Sequence, residues 1–175
     1  MSYRYYIGLN LPTDISKQIV IVQKKLFDPN VAIPPLEPHI TLLPPPAVAM
    51  IDPEVLAPKT AELAQPFWPL QGALQSVETF KQHAVAIAVQ SEAIHRWQQK
   101  LVTLLPHNVS IGHFPGLSFH PHVTLSQTIR GKRLPLDLAL AYEEELRALL
   151  PCSFQADRLT LYKWQRPRHY QAIAL

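Results

Sequence analysis

The sequence predicts an α+β fold of two pseudo-symmetric lobes, with antiparallel-rich sheets around a central groove. Three observations lead to this prediction. The motif Pro38-His39-Ile40-Thr41-Leu42 recurs 83 positions later as Pro121-His122-Val123-Thr124-Leu125. Each copy follows a strand-like and then a helix-like segment, so the order of elements repeats. The chain has 18 prolines and 5 glycines without a long low-complexity tract, which indicates rigid connecting loops.

The first half of the chain is predicted to be strand, helix, motif strand and helix. Residues 3–11 are rich in aromatic and aliphatic side chains, as is typical of a strand. Thr13 is a candidate N-cap for the helix that follows. The apolar side chains at helical spacing are Ile15, Ile19, Val22 and Leu26. Three prolines at 44–46 end the motif strand, because proline cannot donate to a strand ladder. Pro53 is typical of a helix start.

The second half repeats this order. An extended segment at 67–80 precedes a strand at 83–90, and Ser91 is a candidate cap for the next helix. The apolar face of that helix consists of Ile94, Trp97, Leu101 and Leu104. A loop at 107–120 leads into the second motif strand. A helix from about 135 to 150 should follow it.

The chain is predicted to close with a pair of strands at 154–164 and 170–175. Because strand, helix, motif strand and helix occur twice, we predict one two-lobed domain over the whole chain. Its approximate repeat units are 1–82 and 83–175.

Composition and charge limit the kinds of substrate and the cellular compartment that we expect for this protein. A net charge of +3 suits a small anionic substrate or an RNA end better than a long duplex. The single cysteine, Cys152, excludes an internal disulfide framework. We find neither a signal-peptide pattern nor an apolar run of 18 residues. We therefore expect a cytoplasmic protein with no membrane association. We also expect it to be a monomer.

The repeated His-x-Thr pattern predicts a catalytic site. Side chains two apart share one face of a strand, so His39 lies beside Thr41 and His122 beside Thr124. Two such strands facing each other present two imidazoles and two hydroxyls. This set can exchange protons near neutral pH and hydrogen-bond an oxyanion. One copy alone would be weak evidence for a site, since solvated strand faces also carry His and Thr. Two copies of the same five-residue pattern are specific evidence for one.

A metal site is the main rival interpretation, because His120 and His122 lie on one face of the second strand. Residues 93–136 contain no Asp or Glu, however, whereas zinc sites use three or four His, Cys or carboxylate ligands. The sequence therefore favours a site without metal or cofactor.

The two motifs in this framework resemble the two-histidine phosphoesterase superfamily. Within it, the chain is most similar to the family of 2′-5′ RNA ligases or RNA 2′,3′-cyclic phosphodiesterases. Residues 5–12 resemble the opening strand of that family, 119–126 its second motif and 159–164 its late strand. The chain departs from the family pattern in two places. Gln127 stands where many members have Arg, three residues after the second-motif Thr. Residues 43–46 follow the first motif, where many members have Phe-Leu-Gly.

The resemblance implies that His39 and His122 transfer protons while Thr41 and Thr124 grip the phosphate. It implies that His39 is the acid and His122 the base. The implied reaction is metal-independent hydrolysis of 2′,3′-cyclic phosphates to 2′-phosphates, at RNA 3′ ends or on small cyclic nucleotides. The resemblance also implies reverse 2′-5′ RNA ligation by the same histidine pair.

Ser126 and Arg130 are further candidate substrate contacts. Arg130 begins a basic turn that either holds additional phosphates or is simply solvated. An alternative function is a non-catalytic nucleotide- or RNA-binding module of the same fold. Intact motifs in both lobes argue against that alternative.

Overall fold

The computed structural model describes residues 4–33, 35–43, 53–80, 82–103, 119–156, 158–165 and 169–174. The strands in these ranges are β1 (Arg4–Asn10), β2 (His39–Leu43), β3 (Leu70–Phe80), β4 (Ala84–Gln90), β5 (His122–Gln127), β6 (Cys152–Ala156), β7 (Arg158–Gln165) and β8 (His169–Ala174). The helices are α1 (Thr13–Lys25), α2 (Pro53–Ala64), α3 (Glu92–Val102) and α4 (Leu138–Leu146), with a 3₁₀ turn at Gln65–Phe67. The prolines at 44–46, Leu104 and most of the predicted loop at 107–120 lie outside the described residues.

The strands form one sheet in the order β6-β3-β4-β5-β2-β1-β7-β8, and every neighbouring pair is antiparallel. The two motif strands, β2 and β5, are therefore neighbours at the centre. Ile40 lies opposite Val123 where they meet. The predicted antiparallel-rich α+β fold is confirmed. The sheets of the two lobes do not stand apart across a cleft but are continuous through this central pair.

The sheet is pseudo-symmetric about its centre. Going outward, β2, β1, β7 and β8 on one side correspond to β5, β4, β3 and β6 on the other. Both β1 and β4 lead through a helix to a motif strand. The predicted single strand at 154–164 is wrong, because this segment supplies β6 to one half of the sheet and β7 to the other. An apolar, β-prone sequence does not reveal that its two parts have partners at opposite sides.

One hydrophobic core joins the helices to one face of the sheet. Its members include Ile15 and Ile19 of α1 and Ile94 and Trp97 of α3, which confirms the helix faces predicted for these residues. Alternate residues of the central strands point into this core: Ile40, Leu42, Val123 and Leu125. The opposite face of the central strands is left for the predicted site.

One predicted helix end is confirmed, at Ser91, and two others are wrong. The Ser91 hydroxyl accepts a hydrogen bond from the backbone N–H of Ile94 at 3.2 Å, as an N-cap does. Thr13 is not a cap, because α1 already begins there and Pro12 precedes it. Helix α4 is shorter than predicted and is followed by turn residues before Pro151, since a proline disfavours helical geometry in the residue before it. Among the described residues, no helix is long and apolar enough to cross a membrane.

Candidate active site

The central strand pair brings both motifs onto one face. Ile40 and Val123 are opposite each other and point into the core, so the side chains on either side of them point the other way. Continuing the antiparallel register places His39 across from Thr124 and Thr41 across from His122. All four of these side chains are half-buried. The result is a diagonal set of two imidazoles and two hydroxyls.

Both imidazoles are held in the same way. His39 Nδ1 lies 2.7 Å from the carbonyl oxygen of Glu37, and His122 Nδ1 lies 2.8 Å from that of His120. A carbonyl can only accept, so each Nδ1 carries the hydrogen and donates it. This assigns the tautomer and leaves Nε2 of each ring as the nitrogen available to a substrate.

Aromatic rings surround His39. Tyr6 and Tyr162 stack with centroids 4.6 Å apart, and the His39 ring lies 5.3 Å from the first and 4.8 Å from the second. Gly8 makes room for them: a Cβ there would come within 2.8 Å of Tyr162 Cε2 and 3.0 Å of His39 Cδ2. Burial lowers the pKa of His39 to about 4, so its imidazole is neutral at neutral pH.

A buried hydrogen-bond chain supports this aromatic cluster. Thr160 Oγ1 donates to Asn10 Oδ1 at 2.6 Å, and Asn10 Nδ2 donates to the Tyr162 hydroxyl at 2.8 Å. Burial raises the pKa of Tyr162 to about 12, which keeps its phenol neutral. Asn10 lies opposite His39 in the sheet. Neither Asn10 nor Thr160 was predicted from the sequence, although each interrupts an apolar strand, where a polar residue needs a partner.

His122 has different neighbours. The Phe80 ring lies 5.0 Å from its ring and 6.0 Å from that of His120. His120 Nε2 in turn lies 2.9 Å from a carboxylate oxygen of Glu78. Burial lowers the pKa of His122, and the hydrogen bond to the His120 carbonyl raises it in part. The His120 side chain lowers this pKa further, and Glu78, the smallest influence, raises it. Glu78 was not predicted from the sequence, because its proximity depends on β3 lying beside β4.

The structure separates the two other candidate contacts from this set. A β-bulge puts Ser126 opposite Val85, whose side chain is in the core, and the Ser126 hydroxyl hydrogen-bonds to Tyr142. Arg130 is exposed in a turn beyond β5, where the neighbouring Ile129 pairs with Val31. Neither residue joins the diagonal set of imidazoles and hydroxyls.

The rival interpretation would use His120 and His122 as metal ligands. The Nε2 atom of His120 is within hydrogen-bonding distance of the Glu78 carboxylate. Within the described ranges, no three His, Cys, Asp or Glu side chains are grouped so that they could hold a metal ion. His120 and Glu78 form a side-chain pair beside the His122 ring.

Two imidazoles and two hydroxyls lie on adjacent central strands of an antiparallel α+β sheet, which is the fold of the two-histidine phosphoesterases. The profile of the 2′-5′ RNA ligase superfamily matches residues 11–168. The chain belongs to this family. No match was found among curated protein sequences.

Solved structures agree with this assignment. One described as a phosphoesterase is 18% identical, with a TM-score of 0.60 over 98% of both chains. E. coli LigT complexed with 3′-AMP is 17% identical, with a TM-score of 0.56 over 100% of this chain and 99% of LigT. A Thermus thermophilus protein is 19% identical, with a TM-score of 0.62 over 97% of this chain and 94% of its own. At these identities the likeness shows the fold. Family and fold together support an enzyme of the two-histidine phosphoesterase type.

Proposed function

We propose that this protein hydrolyses 2′,3′-cyclic phosphates to 2′-phosphates by metal-independent acid–base catalysis, with His39 and His122 as the proton-transfer pair. The observation that carries the proposal is the matched hydrogen bonding of the two imidazoles, which frees Nε2 of both rings. Both histidines come from one chain, so a monomer supplies the proton-transfer pair from its two lobes. Thr41 and Thr124 add the two hydroxyls of the site.

Opening a cyclic phosphate requires two proton transfers. A neutral imidazole takes a proton from water as the water oxygen attacks phosphorus. A protonated imidazole gives a proton to the departing 3′-oxygen on the opposite side. Each transfer typically contributes about 10²–10⁴ in rate. The hydroxyls of Thr41 and Thr124 hydrogen-bond the non-bridging oxygens, where negative charge must be stabilised. If an RNA 5′-hydroxyl attacks phosphorus in place of water, the P–O5′ bond forms as the P–O3′ bond breaks, and the same proton transfers join the two ends through a 2′-5′ bond.

RNA 3′ ends and small cyclic nucleotides are the proposed substrates. E. coli LigT, a structural neighbour, has been solved with 3′-AMP, ATP and NADP+. These complexes support a nucleotide as the ligand of the site formed by the two motifs here. The net charge of +3 also suits an anionic substrate.

The product identifies the reaction. Incubating the purified protein with 2′,3′-cyclic AMP should yield 2′-AMP, because the 3′-oxygen is the proposed leaving group. Phosphorus NMR distinguishes the two monophosphates, and a reaction without protein gives the background. A 3′-phosphate product would contradict the proposed direction of opening. Tight nucleotide binding without turnover would instead favour the alternative function, a non-catalytic nucleotide- or RNA-binding module.

Catalysis should not depend on a metal ion. Proton transfer by two imidazoles needs no Lewis acid, and the imidazole of His120, two positions before His122, is paired with Glu78. The rate of 2′,3′-cyclic AMP hydrolysis should therefore be unchanged after exhaustive treatment with EDTA. A rate that disappears with EDTA and returns with zinc or manganese would replace this mechanism with metal catalysis.

A further inference from the structure

The second motif strand departs from regular pairing immediately after Thr124. Ala86 of β4 lies opposite Thr124. The residue before it, Val85, lies opposite Ser126. Leu125 is therefore an extra residue on β5, as in a β-bulge. The bulge directly follows the motif threonine, so a contact that fixes the bulge also fixes the backbone of Thr124.

The first motif carries the same irregularity. Gly8 of β1 lies opposite Thr41, and the preceding Ile7 lies opposite Leu43. Leu42 is therefore the extra residue on β2, at the position that corresponds to Leu125 in the second copy. A bulge that recurs directly after both motif threonines belongs to the architecture of the paired motifs, and its geometry bears on how each hydroxyl is presented.

Strand β2 offers the second bulge no backbone donor opposite Leu125. Ile40 and Val123 are opposite each other, and continuing that register places Pro38 opposite Leu125. A proline has no N–H to donate to a carbonyl. Strand β2 itself begins one residue later, at His39. The side of β5 that faces β2 therefore meets a proline at the bulge.

Two side chains from the helices on the core face donate to the bulge instead. Gln23 of α1 donates from Nε2 to the carbonyl oxygen of Thr124 at 3.1 Å and to that of Leu125 at 3.3 Å. The hydroxyl of Tyr142, on α4, donates to the same Leu125 oxygen at 3.2 Å. Gln23 and Tyr142 are each only 1% exposed. Burying a polar group is unfavourable without a hydrogen bond, so these contacts fix both side chains at the bulge.

The Tyr142 hydroxyl also holds the residue after the bulge. Its single hydrogen goes to the Leu125 carbonyl, so Ser126 is the donor in the hydrogen bond between the Ser126 and Tyr142 hydroxyls. In a regular strand, alternation would put Ser126 on the face that His122 and Thr124 share. Helix α4 therefore stabilises the bulged conformation, in which Ser126 faces the core.

We infer that Gln23 and Tyr142 are positioning residues that hold the bulge at Leu125 and thereby set how Thr124 presents its hydroxyl to the phosphate. This inference rests on the proposed function for the role of Thr124. Both side chains are buried on the core face of the sheet, whereas the motif hydroxyls lie on the opposite face. They therefore act through the backbone of β5 and do not touch the substrate.

Amide hydrogen exchange in the whole protein tests the contacts themselves. Gln23→Met removes the donor at a similar side-chain length, and Tyr142→Phe removes one hydroxyl. Both changes should accelerate exchange at residues 124–126 relative to the rest of β5, because the bulge loses a donor. The matched control is Gln98→Met in α3. Gln98 is fully buried and has no hydrogen-bond partner among the described residues, so its replacement should leave exchange at 124–126 unchanged.

A double-mutant cycle tests whether the two residues act through Thr124. Gln23→Met and Tyr142→Phe should each lower kcat/KM for 2′,3′-cyclic AMP by about 3–10-fold, the range of one net hydrogen bond. In a Thr124→Ala background, neither change should lower it further, because the hydroxyl that they position is gone. Gln98→Met should leave kcat/KM unchanged in both backgrounds.

The outcomes separate this inference from the proposed function. Unchanged exchange at 124–126, unchanged kcat/KM in the single variants, or equal losses in the two backgrounds would overturn the inference even if the protein hydrolyses cyclic nucleotides. If the protein does not hydrolyse them, the same cycle is measured on the dissociation constant of inorganic phosphate. Weaker phosphate binding in Gln23→Met, absent from the Thr124→Ala background, would then support the positioning role while the proposed reaction fails, and unchanged binding would overturn it. Tyr142→Phe removes a single oxygen and keeps the test available where Gln23→Met does not fold.

Discussion

Replacing either His39 or His122 by alanine should lower kcat/KM for 2′,3′-cyclic AMP by about 10²–10⁴-fold, since each change removes one proton-transfer group. Both rings are half-buried on the face of the sheet opposite the core, so their loss should leave the fold intact. Steady-state rates measure the effect, and circular dichroism with thermal unfolding verifies the fold. Near wild-type rates in either variant would contradict the proposed mechanism.

Further variants test whether the expected loss of activity is specific to the two histidines. Thr41→Ala and Thr124→Ala should weaken activity less, by about 10–100-fold, the value of one hydrogen bond to a charged group. His83→Ala should have no effect, because this exposed histidine lies at the start of β4. The double variant of His39 and His122 should lose less than the product of the two single losses, because groups that act as one unit are not additive.

Gly8→Ala should lower kcat/KM by about 10²-fold, the cost of displacing a catalytic group by about 1 Å. The added Cβ would lie 2.8 Å from Tyr162 Cε2 and 3.0 Å from His39 Cδ2, closer than carbon atoms pack. Tyr162 is tied through Asn10 to Thr160, so it has little freedom to retreat. The His39 ring should therefore move. The loss should appear mainly in kcat.

Gly72→Ala is the matched control. A Cβ at Gly72 would come within 2.7 Å of the Phe154 ring, so the clash is of the same kind. Gly72 pairs with Phe154 between β3 and β6, at the edge of the sheet rather than at its centre. This variant should lower the unfolding temperature while its folded form retains kcat. If Gly8→Ala also retains kcat, Gly8 does not set the position of His39.

Local sequence pattern was sufficient for the centre of the molecule. Alternation along a strand puts His39 with Thr41, and His122 with Thr124, whatever the rest of the chain does. Helical spacing likewise identified the buried faces of α1 and α3. Recurrence of the motif at matching points in two similar units then indicated that both copies belong to one site, and the family resemblance implied the reaction that we propose.

Only the tertiary structure determined the surroundings of that centre. Asn10 meets Tyr162 across 152 positions of sequence, and Glu78 meets His120 across 42. A single β-bulge turns Ser126 away from the face that its motif shares. Strand order decides which side chains become neighbours, and that order follows from how all the strands and helices bury their apolar faces together. Periodicity within one segment carries no information about its partner strand, so the side chains that surround the histidine pair become visible only in the assembled sheet.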